Sequence, residues 1–108
     1  MEDEPIVRKL LRNFLEMLGF RVVETSTVEG AQAIINEKLV DLIISDYMLD
    51  GKSGRYLYEW ILEAYPGLAK RFIVISGWPD VEGFPWFIAK PFTLKVLEEV
   101  VRKALSSV

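Results

Sequence analysis

The sequence contains neither cysteine nor histidine. The first absence excludes disulfides and thiolate metal sites. The second removes the commonest general base and every imidazole-based zinc site. No apolar run is long enough to span a bilayer, and no signal peptide is recognisable. With 13 Lys and Arg against 16 Asp and Glu, the chain has no positive excess and no basic stripe. Direct binding of nucleic acid therefore has no electrostatic support. Chemistry on this chain must use carboxylates, hydroxyls, lysines and hard cations. At 108 residues, 51% apolar and 27% charged, the composition suits one globular domain over residues 1–108. A cytoplasmic setting with no membrane contact is expected.

Apolar positions at Val7, Leu10, Leu11, Phe14, Leu15 and Leu18 follow helical spacing, with Pro5 at the entrance and Gly19 at the exit. "FRVVET" (20–25) reads as a strand. Ser26 to Glu29 forms a capping-box pattern before a helix containing Ala31, Ile34 and Ile35. "DLIIS" (41–45) and "RFIVISG" (71–77) are continuous apolar runs, the mark of strands covered on both faces. Between them a helix starts at Ser53 or Gly54, passes Leu57, Trp60, Ile61 and Ala64, and stops at "YPG" (65–67). "WFIAK" (86–90) is a shorter strand, and Thr93 caps a final helix with Leu94, Leu97, Val101 and Leu105 inward.

Strands alternating with helices predict an α/β fold with a doubly wound parallel sheet. Ligands in such sheets gather beyond the carboxyl ends of the strands. The residues there are Asp46, Ser76 and Lys90: an acid, a hydroxyl and an ammonium facing one crevice. The opening acids Glu2 and Asp3 fit two readings, as complements to a helix dipole or as part of a cation site.

Four motifs in order, "EDEP" (2–5), "DLIISDYMLDGKSG" (41–54), "VISG" (74–77) and "AKPF" (89–92), resemble the receiver domain of two-component response regulators. The resemblance covers nearly the whole chain and implies a flavodoxin-like (CheY-like) fold. It makes Asp46 a phosphoacceptor that takes a phosphoryl group from the histidine of a sensor histidine kinase or a histidine phosphotransfer domain. Glu2, Asp3, Asp46 and the backbone carbonyl of Met48 would hold Mg²⁺. Lys90 and Ser76 would contact the phosphoryl group, and Gly77 would leave room for the donor. Ser76 and Phe87 would act as the switch pair. Taken alone, Phe87 would ordinarily be a core aromatic. Pro91 would follow a cis peptide bond. The chain would be a regulator that promotes its own phosphotransfer and dephosphorylation, not an enzyme acting on other substrates. Trp78 and Met48 would border the path of the hydrolytic water.

Three features depart from the family. Its first strand is missing, since only Met1 precedes the acidic pair. This predicts either direct pairing of 20–25 with 41–46, or a homodimer or strand exchange. Only 13 residues separate Ser76 from Lys90, and "GWPDVEGFP" within them predicts a fourth family helix that is shortened or absent. Trp78, Phe84 and Trp86 there read first as a roof over a thinned core and second as a partner-docking patch. Asp50 stands where the family commonly has proline. Other readings are a degenerate receiver binding partners without phosphorylation, a dehalogenase-like phosphatase and a flavin binder. Met48 opposes the phosphatase, which wants an Asp at that position. No hydroxyl- and glycine-rich phosphate loop supports the flavin binder.

Overall fold

Five consecutive residues, Phe72–Ser76, are buried without alternation, and only a strand with both faces covered has that pattern. In the computed structural model, which describes residues 5–49, 52–77 and 83–106, this strand is the middle of a parallel sheet. The elements in chain order are α1 (Pro5–Met17), α2 (Val28–Glu37), β1 (Ile43–Asp46), β2 (Met48–Leu49), β3 (Lys52–Ser53), α3 (Gly54–Ala64), α4 (Pro66–Ala69), β4 (Phe72–Ser76), β5 (Trp86–Ala89) and α5 (Leu94–Leu105). The described sheet runs β1-β4-β5. Its register sets Asp46 against Ile75 and Ser76 against Ala89. β2 and β3 form a separate antiparallel pair.

Alternate residues of β4 point to opposite cores, as the period of two requires. Phe72 and Val74 join α2 and α3 residues such as Val28, Leu57 and Ile61. Ile73 and Ile75 join Leu11 and Leu15 of α1 and Leu97 and Val101 of α5. The expected α/β arrangement, helices on both faces of a parallel sheet, is therefore found.

Local signals explain most helix ends. Gly19 has φ +94°, the left-handed region that glycine enters without steric cost. The Gly19 N–H donates to Glu16 O at 3.0 Å, and the Phe20 N–H to Leu15 O at 3.1 Å. That pair of bonds is a Schellman cap, which ends α1 where Gly19 predicts. Thr93 caps α5, its hydroxyl accepting from the Val96 N–H at 3.2 Å.

Several expectations fail. The cap of α2 is Thr27, not Ser26: its Oγ1 accepts from the Gly30 N–H at 2.9 Å. The Thr25 hydroxyl accepts from the Thr27 N–H at 3.3 Å. Gly30, lacking a Cβ, leaves room for both hydroxyls, since an added Cβ would collide with Thr25 Oγ1. "YPG" does not simply stop the chain, because Pro66 begins the short helix α4. Residues 20–25 form no strand, and direct pairing with β1 is absent. A cavity of about 780 Å³, walled by α1, residues 19–25, α2 and β1, lies between them. Among the described residues, segment 20–25 therefore has no strand partner. Between β4 and β5, residues 77 and 83–85 are not helical. The rest of the shortened-helix expectation, at 78–82, lies outside the described residues.

The start of α3 rests directly on the end of β1. The Gly54 N–H donates to the Tyr47 carbonyl, and a Cβ on Gly54 would stand 2.6 Å from the Asp46 carbonyl oxygen. Gly54→Ala must therefore shift backbone and should destabilise by about 1–3 kcal/mol, although alanine favours a helix. Urea denaturation of the purified variant checks this. By the same measurement, Thr27→Ala should cost about 1 kcal/mol and Ser26→Ala less than about 0.5 kcal/mol.

Candidate functional site

Three adjacent parallel strands end on the same edge of the sheet, and each ends beside one of the sequence-predicted polar residues. Asp46 is the last residue of β1 and Ser76 the last of β4. Lys90 directly follows β5. Two bonds hold these ends in line. The Tyr47 N–H donates to Ile75 O at 3.0 Å, and the Lys90 N–H to Ser76 O at 2.9 Å.

β1 and β5 are separated by β4, so their backbones lie about 10 Å apart. The Lys90 side chain crosses that gap, and its Nζ reaches Asp46 Oδ2 at 3.2 Å. The pair is only partly screened, with 15% of the Asp46 side chain and 27% of the Lys90 side chain exposed. A long lysine held across a strand end supplies a positive charge beside one carboxylate oxygen. The Lys90–Pro91 bond is cis, as the resemblance implies. Ser76 is buried between Asp46 and Lys90 in strand order. A Cβ placed on Gly77 would meet nothing within 4 Å, so the space next to Ser76 is open.

Asp46 is the one expected cation ligand whose side chain is described. Glu2 and Asp3 lie outside the described residues, as do Asp50 and Trp78. Met48 lies in β2, two residues beyond Asp46. Among the described residues no group of three acidic, histidine or cysteine side chains converges. Phe87 sits opposite Val74 on β5 and is 40% exposed. Its reading as an ordinary core aromatic is thus overturned, because among the described residues the ring stays substantially exposed.

Sequence reasoning missed an anchoring contact near the site. Phe84 stacks on Phe72 with ring centroids 5.9 Å apart and meets Tyr47 edge-on at 6.1 Å. The Arg55 guanidinium lies 4.8 Å from the centre of the Phe84 ring, within cation–π range. The segment after β4 is thereby fastened to the residue following Asp46 and to the first turn of α3. Phe84 roofs the core as the first of its two readings expected. Trp86 is half-buried against the α1–α5 core, and its indole N–H donates to Lys70 O at 3.1 Å. The concentration of aromatics between Ser76 and Lys90 was the available signal, while the role of Arg55 had none.

No helix among the described residues is long and apolar enough to cross a membrane. The chain is 30% identical to the C4-dicarboxylate transport transcriptional regulatory protein DctD of Rhizobium meliloti over 96% of its own length and 24% of that protein. It spans about a quarter of the length of the first curated relatives it matches. Among solved structures, the receiver domain of NtrX from Brucella abortus is similar at a TM-score of 0.90 and 28% identity, covering 99% of this chain and 96% of that one. The receiver domain of sensor histidine kinase PA1611 from Pseudomonas aeruginosa, solved with magnesium coordinated in its active-site cleft, shares the fold at a TM-score of 0.88 and 21% identity, covering 99% and 94%. The sequence model of the response regulator receiver domain matches residues 1–102, and with the fold and strand-end residues above, the chain belongs to the receiver domain family of two-component signalling.

Proposed function

We propose that Asp46 is the phosphoacceptor and that this domain is switched by its phosphorylation. The observation that carries the reading is the 3.2 Å approach of Lys90 Nζ to Asp46 Oδ2 across the end of β4. A carboxylate attacking a phosphohistidine forms a P–O bond as the P–N bond breaks, and the imidazole leaves. The incoming phosphoryl oxygens add negative charge beside an acid, so a fixed cation at hydrogen-bond distance favours the transfer. Lys90 provides that charge. Ser76, buried at the neighbouring strand end, supplies a hydroxyl for one phosphoryl oxygen. The open space at Gly77 admits the donor side chain.

The donor set fits a hard divalent cation. Asp46 presents carboxylate oxygen, and the chain has no thiolate or imidazole to favour a softer metal. Asp46, Glu2, Asp3 and the Met48 carbonyl would hold Mg²⁺. When bound, Mg²⁺ would supply positive charge that offsets the clustered carboxylates. The donor protein would be a sensor histidine kinase or a histidine phosphotransfer domain. Phosphorylation would draw the Ser76 hydroxyl toward the site. The exposed ring of Phe87, on the adjoining strand, would carry that change to a partner surface. Cytoplasmic location belongs to the same reading.

Intact mass after incubation with acetyl phosphate and Mg²⁺ tests the assignment. Wild type should gain one phosphoryl group, Asp46→Asn none, and chelation should abolish the gain. A folded wild type that stays unmodified would instead assign the domain to phosphorylation-independent partner binding. Lys90→Ala should slow the modification by about tenfold or more while leaving the melting temperature within a few degrees. Equal rates for the two proteins would remove Lys90 from the chemistry.

A further inference from the structure

Among the described residues, two polar side chains are buried, Ser45 and Ser76. Ser76 belongs to the strand-end site, whereas the chemistry described there makes no use of Ser45. Ser45 is the third residue of β1 and is fully enclosed. It pairs with Val74 and so shares that residue's face of the sheet, against α2 and α3. A hydroxyl in such a place loses its hydration and needs a bond in return. Valine or isoleucine suits a covered strand better, by burial and by β propensity. What the serine adds is its bond: Oγ donates to the Asp46 carbonyl oxygen at 2.9 Å. That oxygen belongs to the peptide joining Asp46 to Tyr47. The N–H of the same peptide donates to Ile75 O at 3.0 Å. The peptide is therefore held at both ends, by β4 on its nitrogen and by Ser45 on its oxygen. A peptide plane held in this way fixes the main chain beside the Asp46 Cα, and so the direction in which that carbon projects its carboxylate. The direction matters, because Oδ2 lies 3.2 Å from Lys90 Nζ across the end of β4.

We infer that Ser45 is a positioning residue for phosphoryl acceptance at Asp46, acting through the peptide that its hydroxyl holds. The inference rests on the reading of Asp46 as the phosphoacceptor. A carboxylate oxygen must approach phosphorus in line, and a misplacement of about 1 Å can cost about 100-fold in rate. Ser45 is enclosed in the sheet and touches neither the phosphoryl donor nor the cation. Its loss should therefore lower the maximal rate of phosphoryl gain without changing the donor concentration that gives half of it.

The test compares Ser45→Thr, which keeps the hydroxyl, with Ser45→Val, which has the same shape without it. Each 108-residue protein is incubated with Mg²⁺ and a series of acetyl phosphate concentrations, and phosphoryl gain is followed by intact mass. Thermal melting and amide hydrogen exchange by NMR are measured on the same proteins. Ser45→Thr should keep the maximal rate within about threefold of wild type, and Ser45→Val should lose about tenfold or more at an unchanged half-saturating concentration. The two should melt within a few degrees of each other, since a buried methyl offsets the lost bond. A residue serving stability alone would not separate rate from melting in this way. The Tyr47 amide, on the far end of the held peptide, should exchange about tenfold or more faster in Ser45→Val than in Ser45→Thr. Equal maximal rates in the two variants would overturn the inference. So would a slow Ser45→Val whose loss follows only from a smaller folded fraction, because Ser45 would then be a packing residue. Should the added methyl keep both from folding, Ser45→Ala, which adds no atom, is measured against wild type: a slower maximal rate with faster Tyr47 exchange supports the inference, and equal rates overturn it. A wild type that gains no phosphoryl group overturns the phosphoacceptor reading instead, and Tyr47 exchange then still decides whether Ser45 holds the peptide.

Discussion

β4 is a strand with no free side. Its faces are closed by two helical layers and its edges by β1 and β5, so none of its five residues has appreciable exposure. A strand so enclosed can meet solvent only at its ends. Asp46, Ser76 and Lys90 are arranged around one of them. The carbonyls of Ile75 and Ser76 bind the chains leaving β1 and β5, which fixes the separation of Asp46 from Lys90. The lysine then has one strand width to cross, and its length suits that distance. Loss of β4's register would separate the acid from the ammonium even with every side chain intact.

Around that edge, packing and chemistry share the same atoms. Gly54 lies so near the Asp46 carbonyl that no other residue fits without backbone movement. Tyr47, next in the chain, takes part in the ring cluster with Phe84, whose other side faces Arg55. The backbone at Asp46 and Tyr47 is thus held by the helix start and by aromatic contacts. Acceptance of a phosphoryl group at Asp46, as proposed, would benefit from such rigidity, because preorganised charges need not reorganise when the group arrives.

How much of this was legible in the sequence depends on the range of the forces involved. The runs at 43–46 and 72–76 were readable because a doubly covered strand must be apolar at every position. Gly19 and Thr93 were readable because caps are local. Asp46, Ser76 and Lys90 were found together because strand ends share an edge. Residues 20–25 were misread because a strand is a relation between two backbones, and the residue types of one segment describe only one of them. The cap of α2 moved by one residue because Thr25 and Gly30 together favour Thr27, a three-residue fit that the Ser26–Glu29 pattern does not contain. Phe87 was misplaced because aromatic character says nothing of which face has cover. Arg55 was missed because its partner is a ring beyond the next strand.

The parallel register has a temporal side. Ile43 pairs with Phe72, and Ile73 with Trp86, so the partner of β1 in particular lies far along the chain. Asp46 and Lys90 are 44 residues apart. During synthesis, at about 5–20 residues per second, β1 leaves the ribosome seconds before β4 can cover it. Its apolar side chains must spend that interval against α1 and α2, whose inner faces are equally without a sheet. A domain with such distant partners folds late and as a unit, and its polar edge is assembled only when the last strand has been added.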